Sequence, residues 1–295
     1  MRKPPWSLVQ YLDEAGNPTA GIESDGAVYR APSDWPTTVS TLLDQWATYA
    51  PALQSLDLST LTEEPNAHLV APITFPRKVI CAGANYFDHA EEMGTARPNP
   101  DGVPFFFLKP PTTTVVGPLA AIELPSGVDA GLDWEIELGV VIADRCKGVS
   151  PDEARSHIAG YVIANDISAR GLFPRADAVF PAFGWDWYSH KALDGFCPLG
   201  PGIVPAWLVE NPADLRMTLS VNGVVKQDSG TRNLVVGIEE LVAAASRFVT
   251  LEPGDVILTG TPAGVGMPRK DFLKSGDVMV AEIDGLGRLE NRVTS

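Results

Sequence analysis

The sequence predicts a sheet-dominated α+β fold, and three observations carry that reading. Two runs, Leu138–Ala143 (LGVVIA) and Gly160–Asn165 (GYVIAN), are apolar without alternation, as strands buried on both faces are. Gly (27 residues) and Pro (26) are spread along the chain, which suits many short strands and turns better than long helices. Leu215–Val221 and Val224–Gln227 flank Asn222-Gly223, a type I′ hairpin signal.

Taken in order, residues 1 to about 70 read as a small N-terminal α+β domain. It holds strand-like pieces at Ser7–Leu12 and Gly26–Tyr29. Val39–Tyr49 reads as one helix, because Leu42, Leu43, Trp46 and Ala47 recur at helical spacing. The polar, turn-rich stretch Leu56–Ala67 reads as a linker, with His68 at its end. The larger domain, 71–295, opens with a strand at Lys78–Gly83. Ser150-Pro151-Asp152-Glu153 has the pattern of a capping box, with Pro at the first helical position, for a helix reaching about Ile158. Gly237–Val249 places Ile238, Leu241, Val242, Ala245, Phe248 and Val249 on one side of an amphipathic helix. A last hairpin joins Val278–Ile283 to Arg288–Val293.

The 295 residues carry a formal charge of −15. That acidity argues against nucleic acid and against anionic membrane surfaces as partners. Three widely spaced cysteines form no C-x-x-C pair, so neither a zinc ribbon nor a disulfide framework is indicated. With no signal-like N-terminus and no long apolar run, a soluble cytoplasmic protein is expected.

Carboxylates stand at the ends of both buried strands. On a strand, Asp133, Glu135 and Glu137 share one face, and GYVIAN runs directly into Asp166. Should these ends converge, Glu135, Glu137 and Asp166 form an all-oxygen site suited to Mg²⁺ or Mn²⁺, with Ca²⁺ as a substitute. From the pattern alone, a solvated strand end fits equally well. His89 and Glu92 are neighbours on a helical turn, the arrangement in which a carboxylate orients a basic imidazole. The Pro-, Asn- and Gly-rich stretch 95–102 reads as a loop able to close over a site. Thr259–Gly266 lacks both the P-loop ending and the dinucleotide spacing, so nucleotide binding is rejected. Lys191 follows Trp185, Trp187 and Tyr188; partly buried there, it offers charge to an oxyanion, although most lysines are solvated.

In this order the segments resemble the fumarylacetoacetate hydrolase family from about Val79 to Val293. The resemblance rests on Asn85-Tyr86 with Asp88-His89-x-x-Glu92, Phe107-Leu108-Lys109, Trp134-Glu135-x-Glu137-Leu138, Asn165-Asp166-x-Ser168-Ala169-Arg170, Lys191-x-x-Asp194, Pro198–Pro201, Val221-Asn222-Gly223 and Pro253–Gly266. It implies a mixed β-sandwich roll, a homodimer, and Mg²⁺ or Mn²⁺ on Glu135, Glu137 and Asp166. It further implies water activation by His89 and Glu92, with Lys191 steadying the oxyanion. Tyr86, Lys109, Arg170, Phe173 and Thr261 are expected at the substrate.

The implied chemistry is hydrolysis of a C–C bond in a β-dicarbonyl or acylpyruvate-type 2-oxo acid. The alternative is decarboxylation of an oxaloacetate-like diacid, or hydration or isomerisation, at the same metal. Where the family commonly has Asp and Gln after Ala169-Arg170, this chain has Gly171 and Phe173. That departure points to a less polar or bulkier substrate. A non-catalytic protein with a structural cation is the competing class.

Overall fold

The architecture follows from two strands that are buried on both sides. The structure, a computed structural model, describes residues 2–295. Its first strands are β1 (Ser7–Leu12), β2 (Pro18–Ser24), β3 (Ala27–Arg30), β4 (His68–Val70), β5 (Val79–Gly83) and β6 (Phe105–Lys109). Next come β7 (Val115–Val116), β8 (Ala121–Glu123), β9 (Leu132–Asp133), β10 (Ile136–Ile142), β11 (Ile158–Asn165) and β12 (Ser168–Ala169). The last are β13 (Cys197–Pro205), β14 (Arg216–Val221), β15 (Val224–Gly230), β16 (Val256–Leu258), β17 (Val278–Ile283) and β18 (Gly287–Thr294). Six α-helices accompany them among the described residues: α1 (Val39–Asp44), α2 (Trp46–Gln54), α3 (Phe87–Glu92), α4 (Pro151–Ala154), α5 (Trp187–Lys191) and α6 (Ile238–Phe248).

An eleven-stranded mixed sheet runs β3-β2-β1-β13-β11-β10-β16-β5-β6, with β4 on β1 and β7 on β13. A five-stranded sheet, β15-β14-β17-β18-β8, faces it. Every residue of β10 and β11 is buried. Their alternate side chains enter two different cores, as the two-residue period of a strand requires. Leu138, Val140, Ile142, Tyr161 and Ile163 meet Met217, Leu219 and Met279 of the second sheet. Val141, Val162 and Ala164 meet Leu42, Leu43 and Trp46 of the N-terminal helices. The unbroken apolar runs are thus the sequence image of a sheet packed on both faces.

The segment before residue 70 contributes to the same sheet, through Leu8 opposite Ile203. The helix expected over Val39–Tyr49 is two helices, because Gln45 (φ −120°, ψ 28°) leaves helical geometry between them. The capping box at Ser150 and Glu153 forms, but α4 ends at Ala154 and a 3₁₀ turn continues to His157. His68 pairs with Leu12 and so belongs to a strand, not to a linker. The Asn222-Gly223 turn has φ of 51° and 77°, the two positive values that a type I′ hairpin needs. Among the described residues no helix is long and apolar enough to cross a membrane.

Candidate active site

The register of β10 on β11 brings the carboxylates together. Ile136 stands opposite Asn165, so the residues flanking that pair, Glu135 and Asp166, meet at the strand ends. The Asp166 N–H donates to the Glu135 carbonyl at 2.8 Å, and the Glu135 N–H donates to Asn165 Oδ1 at 2.9 Å. Oxygens of Glu135, Glu137 and Asp166 all lie within 4.8 Å of one another, and all three residues are buried.

Asp133 does not join them, contrary to the expectation that it shares their face. β9 stops at Asp133, and β10 starts only at Ile136. Across this break the Asp133 carboxylate turns to the glycine-rich loop. It accepts from the N–H groups of Trp134 (2.9 Å), Gly266 (2.6 Å) and Met267 (3.0 Å), and from Arg170 Nε (2.9 Å).

Cations surround the three carboxylates. Lys191 is buried, and its Nζ bridges Glu135 Oε2 (2.7 Å) and Asp166 Oδ2 (2.6 Å). Arg170 donates from Nη2 to Glu135 Oε1. Lys109 is buried beside Asp166 and is not among the residues that line the cavity. Its Nζ donates to the carbonyls of Ile167 (3.1 Å), Lys191 (2.7 Å) and Phe196 (2.8 Å). The same Nζ is 2.7 Å from Asp166 Oδ1 without being aligned as a hydrogen bond, so that oxygen has no hydrogen-bond donor.

These charges divide the two glutamates. Burial opposes ionisation of Glu135, but Lys191 and Arg170 outweigh it and hold its carboxyl below the usual range. Glu137 receives the N–H of Gly260 but is not ion-paired, and burial beside Asp166 and Glu135 pushes its carboxyl well above the usual range. A buried Asp166 oxygen without a hydrogen-bond donor, a Glu137 carboxyl without an ion-pair partner and an ammonium already bridging two carboxylates fit a divalent cation with hard oxygen ligands. Glu135, Glu137 and Asp166 are the residues that would hold it.

The cavity above them is about 160 Å³. His89, Phe107, Arg170, Phe173, Trp187, His190 and Thr261 line it with the carboxylates and Lys191. α3 supplies His89, whose Nδ1 is 3.7 Å from Glu92 Oε2, an ion-pair distance rather than a hydrogen bond. Glu92 is itself held by the Gly264 N–H (2.9 Å) and by Arg269 Nη1 (2.9 Å), which ties α3 to the glycine-rich loop. Thr261 Oγ1 donates to the Ile136 carbonyl at 2.8 Å and receives Gln227 Nε2 at 2.9 Å. Tyr86 does not line the cavity. It is fully buried, with its hydroxyl 3.3 Å from Met217 Sδ.

Sequence reasoning gave no role to His190, Gln227 or Arg269. Only for His190 was there a local signal, its place beside Lys191 in an aromatic segment.

The fold and this site place three buried carboxylates at converging strand ends, a set able to hold a divalent cation. The model of the fumarylacetoacetate (FAA) hydrolase C-terminal domain matches residues 78–294, and the chain belongs to that family. The mitochondrial oxaloacetate tautomerase FAHD2A of Bos taurus is 38% identical over 296 residues, covering 97% of this chain and 91% of its own. The fumarylacetoacetate hydrolase of Exiguobacterium antarcticum superposes with a TM-score of 0.84 at 33% identity, covering 98% of this chain and 99% of its own. The maleylpyruvate hydrolase of Sphingobium sp. SYK-6, solved with manganese(II) and pyruvate, has a TM-score of 0.76 at 29% identity, covering 98% of each chain.

Proposed function

We propose that the protein interconverts the keto and enol forms, or equivalent double-bond isomers, of a small 2-oxo acid of oxaloacetate size. The ion it uses is Mg²⁺ or Mn²⁺, held by Glu135, Glu137 and Asp166. The observation that carries this reading is the size and lining of the cavity. At about 160 Å³ it is well below the roughly 300–1,000 Å³ of pockets for drug-sized ligands. The bulkier β-dicarbonyl inferred from Phe173 does not suit it, because that ring closes the cavity and does not enlarge it. Similarity to an oxaloacetate tautomerase along nearly the whole chain supports the same choice.

The bound ion would supply Lewis-acid stabilisation of the enolate. The chain's own groups do the rest. His89 lines the cavity with its Nδ1 on the side of Glu92, and its imidazole is the group assigned to move a proton at the carbon next to the carbonyl. Lys191 and Arg170 hold positive charge beside the developing oxyanion. Phe107, Phe173 and Trp187 give the cavity an apolar wall that limits water beside the enolate.

Hydrolysis of a C–C bond is the second reading, favoured by the His89/Glu92 pair. It ranks lower because Glu92 already accepts from Gly264 and Arg269 and stands 3.7 Å from the imidazole.

A homodimer is proposed as well. Edge strand β6 exposes Phe105 and Leu108 beside Phe248, an apolar edge suited to a second copy. A cytoplasmic or an organellar location is compatible with this chemistry; the bovine relative is mitochondrial.

Deuterium exchange at C3 of oxaloacetate, 2-oxobutanoate and pyruvate tests the reaction, with Mn²⁺ or EDTA, in wild type, Glu137→Gln and His89→Ala. Metal-dependent exchange lost in both variants is expected. Metal-dependent release of pyruvate from acylpyruvates without accelerated exchange would instead establish the hydrolase.

A further inference from the structure

His190 is the ionisable side chain of the cavity that the proposed reaction leaves unused. It lies in the last turn of α5 beside Lys191, is 1% exposed, and lines the cavity with the carboxylates. Its Nδ1 lies 3.1 Å from the Ala169 carbonyl oxygen. A carbonyl only accepts, so Nδ1 carries the proton. Burial first, and then the charges of Lys191 and Arg170, push the imidazole down to about 3, so the ring is neutral. Nε2 therefore holds a lone pair. Among the described residues the ring's hydrogen bond is the one at Nδ1, and no donor meets Nε2.

The ring is held in place by its neighbours. Phe173 packs on it at 4.4 Å between centroids, and Trp187 meets it edge-on at 5.8 Å. Phe107 packs on Trp187 at 4.8 Å and completes the wall. The nearby cations are already engaged, Lys191 with Glu135 and Asp166, and Arg170 with Asp133 and Glu135.

A fixed acceptor at the cavity wall, with no protein donor, is open to a hydrogen bond from a bound molecule. A carboxylate brings only further lone pairs and is repelled. An alkyl group leaves the nitrogen unsatisfied. A hydroxyl or enol O–H satisfies it, and the flat aromatic wall suits a short, planar molecule carrying one.

We propose that His190 is a specificity-determining residue whose Nε2 accepts a hydrogen bond from an O–H at the far end of the bound 2-oxo acid. The near end, the 2-oxo acid group at the metal, rests on the proposed function above. His190 narrows the substrate class. The preferred acid carries a hydroxyl where oxaloacetate carries its second carboxylate.

The test is calorimetric titration of the Mn²⁺-loaded protein with three four-carbon acids: 4-hydroxy-2-oxobutanoate, 2-oxobutanoate and oxaloacetate. The hydroxy acid is expected to bind wild type about tenfold more tightly than 2-oxobutanoate. His190→Phe keeps a ring against Phe173 but removes the acceptor, so it abolishes that difference, the ratio of the two affinities being the readout. His190→Gln, with an amide oxygen as acceptor, retains part of the preference and serves if the Phe variant misfolds. Equal affinities in wild type, no binding of any of the three, or equal weakening of all three in His190→Phe would overturn the assignment. C3 exchange run in parallel separates the two claims. Preference without exchange refutes the reaction and keeps His190, whereas exchange without preference does the reverse.

Discussion

Asp133→Asn removes one charge from a carboxylate that receives four donors at the junction of three segments. Oδ1 takes the N–H groups of Trp134 and Gly266, and Oδ2 takes Met267 N–H and Arg170 Nε. An asparagine oxygen can keep one of these pairs. Its NH₂ then points at the other two donors, and Arg170 loses one of its two buried counter-charges, keeping Glu135. Breaking a buried ion pair costs about 3–5 kcal/mol. At about 2.1 cal/mol/K per residue, unfolding entropy converts that to a fall in Tm of about 5–8 °C for a chain of this length. Arg170 also holds Glu135, so kcat/KM falls with stability. Asp228→Asn is the control. Asp228 pairs with Arg216 at 2.8 Å, but both are about half exposed, and such a pair contributes about 0–1 kcal/mol. Differential scanning calorimetry of the two variants beside wild type decides the matter. An Asp133→Asn protein that melts within about 1 °C of wild type with full activity would refute the reasoning.

Gly264→Ala should lower Tm and activity together. Its φ of +109° disfavours any side chain, and a Cβ there would stand 2.2 Å from the Lys226 carbonyl oxygen, on the loop that holds Glu92. An unchanged melting curve with normal turnover would contradict this. The three thiols should resist alkylation in the native protein. Burial raises all of them, Cys146 to about 11 and Cys197 to about 12, so little thiolate exists near pH 8. Mass spectrometry should find no modified cysteine after brief treatment at pH 8 and three in urea; rapid labelling of any one of them in the folded protein would be against it.

Much of the fold was legible because burial on both faces leaves an unmistakable run of apolar residues. Leu138–Ala143 and Gly160–Asn165 could not have been surface strands. Glu135, Glu137 and Asp166 could be placed at the same strand ends for the same reason. What stayed hidden depends on partners distant in sequence. The break that turns Asp133 away needs Asn165 Oδ1 to take the Glu135 N–H, 30 residues away. Lys109 gives no sign in sequence of the three carbonyls that surround it. The splitting of Val39–Tyr49 at Gln45 and the pairing of His68 with β1 arise from packing that helical spacing and local polarity do not encode. Phe173 was read as pointing to a less polar or bulkier substrate; in the fold it packs on His190 and walls the cavity, which suits the first of these and not the second.

Calorimetric titration of metal-free protein with Mn²⁺ bears most directly on the claim that Glu135, Glu137 and Asp166 hold one divalent ion. One Mn²⁺ per chain is predicted for wild type, with affinity lost or reduced at least a hundredfold in Glu137→Gln and retained in the exposed-site variant Asp228→Asn. Undiminished one-to-one binding in Glu137→Gln, or none in wild type, would contradict it.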